Sequence, residues 1–76
     1  MSELVLLDTK GLRCPLPVLK ARKALKDLAA HQVLRVLATD SGAIKDFEAF
    51  CKTTGNRLLK VEDIGGVLTF DIEKVE

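Results

Sequence analysis

Seventy-six residues with 47% hydrophobic and 30% charged side chains describe an ordinary globular chain, neither disordered nor membrane-spanning. That length leaves room for one domain over residues 1–76 and little space for a private substrate pocket. A net charge of +1, with three Phe as the only aromatics, argues against direct nucleic-acid binding. No apolar run has the length of a bilayer span, and Met-Ser-Glu-Leu lacks the basic and apolar regions of a signal peptide. A cytoplasmic location, with no membrane contact and with Cys14 and Cys51 kept reduced, is therefore expected.

Leu4-Val5-Leu6-Leu7, bounded by Asp8, Thr9 and Lys10, reads as a short strand buried on both faces. From Val18 the period changes. Val18, Ala21, Leu25, Leu28 and Ala29 recur at three- and four-residue steps with Lys20, Arg22, Lys23 and Lys26 opposite, which predicts an amphipathic helix. Pro15 fits its first position, because its fixed φ is already helical and its missing N–H would be unpaired there. Cys14 then becomes the N-cap.

A thiolate at an N-cap meets the positive end of the helix dipole and N–H groups without intrahelical partners, so its pKa is expected to fall. Pro17 has no N–H to give at the third position, which leaves that of Leu16, with Val18 as a second candidate, to serve the sulfur. Leu16 precedes a proline and is pushed away from helical angles. Cys14-Pro15-Leu16-Pro17 thus reads as a rigid, slightly strained platform, with Arg13, and Lys10 as a second source, adding positive charge beside the thiol. The plainer assignment makes Cys14 a small buried hydrophobe ahead of ordinary helix-start prolines. Cys in place of a better-capping Ser, Thr, Asp or Asn favours reactivity.

Val33 to Thr39 reads as a central strand, with His31 placed to satisfy helix-end carbonyls just before it. Asp40 or Ser41 can cap a second helix from about Ala43 to Thr54, stopped by a left-handed Gly55. Ala43, Ile44, Phe47, Phe50 and Cys51 share one face, which puts Cys51 in the core. Two strands follow, Arg57 to Asp63 and Val67 to Val75, joined at Gly65-Gly66. The last alternates Leu68, Phe70 and Ile72, buried, against Thr69, Asp71 and Glu73, wet. The order β-α-β-α-β-β predicts an α/β fold, a two-layer sandwich with a four-stranded mixed sheet and both helices on one face. The thiol falls at the carboxyl end of the first strand, a common place for function in open α/β sheets.

Charge is uneven along the chain. Residues 1–26 carry six basic side chains against two acidic ones, or +4, leaving −3 for residues 27–76. A solvated helix face accounts for such a run. The alternative is a positive surface of Lys10, Lys20, Arg22 and Lys23 that steers an acidic partner toward the thiol.

Leu7-Asp8 followed by Gly11-Leu12-Arg13-Cys14-Pro15-Leu16-Pro17 resembles the signature of the TusA-like (SirA-like) sulfur-carrier family, a Cys-Pro-x-Pro motif at the start of the first helix. The likeness continues through Val36 to Asp40, Asp46 to Cys51 and Gly55-Asn56-Arg57-Leu58-Leu59, covering essentially the whole chain. Ser41 and Asn56 depart from the proline and histidine that many members carry there. The resemblance implies a sulfurtransferase that holds sulfane sulfur as a persulfide on Cys14. It would relay that sulfur from a donor of the cysteine desulfurase or rhodanese type to an acceptor protein, without metal or organic cofactor. Acceptor pathways that the resemblance permits are tRNA thiolation, molybdenum-cofactor assembly and sulfur oxidation.

The rival from another class is a small non-enzymatic binding or regulatory module in which Cys14 is redox-sensitive or structural. Other chemistries fit poorly. Pro17 stands where a thioredoxin-type protein has its second cysteine, and two Cys with one His fall short of a structural zinc site. His31 and Cys14 lie at opposite ends of one predicted helix, roughly 20 Å apart at about 1.5 Å per residue, too far for Cys-His hydrolysis. A chain this small with a solvated helix face is expected to be a monomer.

Overall fold

Strand β1 (Leu4–Asp8) leads into helix α1 (Leu16–Lys26), followed by β2 (Val33–Ala38), α2 (Ala43–Thr54), β3 (Arg57–Ile64) and β4 (Val67–Glu73). This architecture comes from a computed structural model that describes residues 4–75. The strands lie in the order β1-β2-β4-β3, with β1 parallel to β2 and the other neighbours antiparallel. Both helices cover one face of this four-stranded mixed sheet. Period two in β2 and β4 turns Leu34, Val36, Ala38, Leu68, Phe70 and Ile72 inward, where they meet Ala21 and Leu25 of α1 and Ala43, Phe47, Phe50 and Cys51 of α2. Phe47 stacks on Phe70 with ring centres 4.5 Å apart and takes the edge of Phe50 at 6.5 Å. Each such buried ring stabilises the fold by roughly 2–3 kcal/mol.

Helix α2 spans the expected residues, and Gly55 ends it at φ 81°. The β3–β4 turn takes Gly65 at φ 59° and Gly66 at φ 88°, positive angles that suit a tight hairpin. Strand β1 departs from expectation. It is an edge strand with Val5 and Leu7 against the core and Leu4 and Leu6 exposed at 51% and 60%, because no second layer covers the sheet's outer face. Helix α1 stops at Lys26, so Leu28 packs beyond the helix and Ala29 is exposed. The carbonyls at that end are met by Lys74 Nζ, 2.7 Å from Leu28 O and 3.5 Å from Lys26 O, rather than by His31. His31 instead turns left-handed at φ 73°, donates its N–H to the Lys74 carbonyl and sets Nδ1 3.3 Å from Glu73.

On the helix-free face Arg35 grips Asp71 through two parallel bonds of 2.8 and 2.9 Å. Asp71 is consequently buried rather than wet, and the guanidinium holds its carboxyl below the usual range. No described helix is long and apolar enough to cross a membrane.

Candidate thiol site

The loop from β1 to α1 is fastened to the end of β2 at three successive points. Buried Thr9 donates its N–H to the Leu37 carbonyl at 2.8 Å, and its hydroxyl donates to the same oxygen. Gly11, at φ 83°, donates its N–H to Thr39 Oγ1 at 2.9 Å. Cys14 donates its N–H to Asp40 Oδ2 at 2.6 Å. The loop thereby extends the parallel β1–β2 pairing past the last strand residues and carries Cys14, exposed, to the carboxyl edge of the sheet. The Cys14–Pro15 peptide bond is cis.

Cys14 is not the N-cap of α1. That position belongs to Pro15, whose φ of −98° and ψ of 15° lie outside the helix, and no side chain caps the N–H groups. The first intrahelical bond runs from the Leu19 N–H to the Pro15 carbonyl at 3.1 Å, one residue after the thiol, while the Cys14 N–H is taken by Asp40. Leu16, expected to serve the sulfur, gives its N–H to the Arg13 carbonyl at 2.9 Å. Pro17 is buried at the second helical position. Neither Asp40 nor Ser41 caps α2, whose N-cap is Gly42; Asp40 Oδ1 accepts the Gly42 N–H at 3.1 Å. A Cβ placed on Gly42 would lie 3.8 Å from Cys14 Cβ and 4.0 Å from Sγ, so the sulfur sits beside the start of α2 as well as near that of α1.

Cys14 opens onto a groove of about 350 Å³ between the helices, lined also by Pro15, Val18, Arg22, Asp46 and Phe50. Asp46 Oδ2 is buried there without a hydrogen-bond partner. The expected basic surface does not form one patch. Arg22 lines the thiol groove, Lys20 and Lys23 line a separate cavity with Leu7 and Asp27, and Lys10 pairs with Asp8 at 3.4 Å. Cys51 lies in the core, where burial pushes its thiol up to about 11. Among the described residues no group of three His, Cys, Asp or Glu side chains converges as a metal ion requires. Sequence reasoning missed the parts that Thr39, Asp40 and Gly42 play at the thiol. The available signal was that Thr-Asp ends the strand parallel to β1, at the same sheet edge as the motif.

Fold and site together define a small α/β protein built to present one thiol at a sheet edge. Residues 5–74 match the family model described as Sulfurtransferase TusA. Over 68 residues the chain is 52% identical to the sulfur carrier protein TusA of Allochromatium vinosum, covering 90% of each, and 40% identical to that of Pseudomonas entomophila, covering 90% of this chain and 85% of the other. A SirA-like protein from Desulfitobacterium hafniense superposes with a TM-score of 0.84 at 27% identity, over 95% of this chain and 99% of that one. This chain belongs to the TusA sulfurtransferase family.

Proposed function

We propose that this chain is a sulfur-carrier protein that holds sulfane sulfur as a persulfide on Cys14 and relays it between a donor and an acceptor protein. The observation that carries this reading is the clamped backbone and bare sulfur of Cys14. The Cys14 thiolate attacks the outer sulfur of a donor persulfide, forming a new S–S bond as the donor thiolate leaves. An acceptor thiolate then attacks the outer sulfur of Cys14–S–SH and releases the Cys14 thiolate, so no external electrons are needed. Two adjacent helix N-termini and the nearby Arg13 favour the anionic sulfur in both resting and loaded forms. Pro15 and Pro17 hold the loop to α1, and exposed Leu16 offers apolar contact beside the thiol.

A donor of the cysteine desulfurase or rhodanese type fits this chemistry in a reducing cytoplasm, with the chain acting as a monomer. Of the basic residues read as steering, Arg22 faces the docking groove, while Lys10, Lys20 and Lys23 act only through the longer-range field. Mixed-disulfide trapping on Cys14 assigns the acceptor among tRNA thiolation, molybdenum-cofactor assembly and sulfur oxidation.

Incubation of the reduced chain with a persulfide donor, followed by mass spectrometry, tests the reading. One added sulfur atom on Cys14 is expected, lost in Cys14→Ser and kept in Cys51→Ser. An absent adduct on the native chain overturns the carrier role and favours a regulatory module with a redox-sensitive Cys14.

A further inference from the structure

We propose that Asp40 is a positioning residue for Cys14, fixing the nucleophile through its backbone N–H; the proposal rests on the carrier reading above. Both oxygens of one carboxylate are engaged, Oδ2 by the Cys14 N–H at 2.6 Å and Oδ1 by the Gly42 N–H at 3.1 Å. Asp40 therefore bridges the thiol loop to the first turn of α2. Hydrogen bonds from backbone N–H to a carboxylate belong to the short, strong class. The fastenings at Thr9 and Gly11 hold the loop upstream, and the Leu16 bond to Arg13 is local, so among the described residues the bond to Asp40 is the one hydrogen bond from the Cys14 N–H to another part of the fold. Asn, with a single acceptor oxygen, cannot take the two N–H groups on separate atoms as Asp40 does.

The anchoring fixes the direction from which the Cys14 sulfur attacks, and that direction governs transfer.

Asp40→Asn and Asp40→Ala test this with two readouts, the Cys14 amide proton by NMR and the rate of sulfur loading from glutathione persulfide per folded molecule. In Asp40→Ala the amide proton moves upfield as the short bond is lost and loading slows about fivefold; in Asp40→Asn, with one acceptor oxygen in place of two, both changes are smaller. A merely structural Asp40 lowers melting temperature but leaves the rate per folded molecule unchanged. Should Asp40→Ala fail to fold, Asp40→Asn carries the test. Native-like amide shift and loading rate in a folded variant overturn the proposal. If the native chain accepts no sulfur while the amide signal still moves, the carrier reading fails and the anchoring of Cys14 stands.

Discussion

Cys14 and Cys51 are one side chain in opposite settings. At Cys14 the backbone is tied down by Asp40 while the sulfur lies exposed at the meeting of two helix starts. At Cys51 the backbone is ordinary helix, and the sulfur is 6% exposed in the apolar cluster that includes Phe47 and Phe50. Burial alone pushes the Cys51 thiol up to about 11 and keeps it protonated at neutral pH. Access to a thiol in this small fold follows from which residue the sheet edge presents, and the core keeps the second one out of reach.

The largest expected effect is selectivity. Iodoacetamide at pH 8 should alkylate Cys14 at least about 100-fold faster than Cys51 in the native chain, read by peptide mapping; comparable rates would break the contrast. Next is an alkaline loss of stability. Because the folded Cys51 thiol is raised from 9.0 to about 11, its contribution is complete below pH 9 and declines as pH climbs toward 11. Urea unfolding should show about 2 kcal/mol more loss over that range in the native chain than in Cys51→Ala. A matching pair of slopes removes burial as the cause.

Stability should sharpen the same comparison. Cys51→Ser places a hydroxyl in the core at a cost of about 1–3 kcal/mol, whereas Cys14→Ser stays within about 0.5 kcal/mol of the native chain in denaturant titration. Gly42→Leu, at an ordinary negative φ, starts a side chain 4.0 Å from the Cys14 sulfur and should slow its alkylation, read by peptide mapping. Last is a control remote from both thiols, Asp71→Asn. Since Arg35 depresses the Asp71 carboxyl, its contribution is present above about pH 4 and is lost as pH falls further. The variant should lose about 1 kcal/mol at pH 7 and show a flatter acid limb.

Much of the fold was readable locally. The apolar face of α2, its glycine stop, the Gly65-Gly66 hairpin and the alternation of β4 follow from neighbours within a few residues. The site was legible as a motif but not as a geometry. The bond that ties down the Cys14 backbone comes from Asp40, a partner 26 residues away that no local rule addresses. Leu4-Val5-Leu6-Leu7 has no alternation to mark its outer face, so its place at the sheet edge was hidden until strand order was known. The basic run on α1 reads as one stripe in the chain, yet each residue turns about 100° about the axis, which sends Arg22 to the groove and Lys20 and Lys23 around the helix. Lys74 takes the duty expected of His31, since the carbonyls at the end of α1 meet a side chain from beyond the last strand.

The bidentate Arg35–Asp71 pair lies midway across the uncovered side of the sheet. A flat greasy surface laid there would have to dehydrate both partners. The two faces therefore differ in kind: opposed charges mark the one without helices, and the groove beside Cys14 opens on the other.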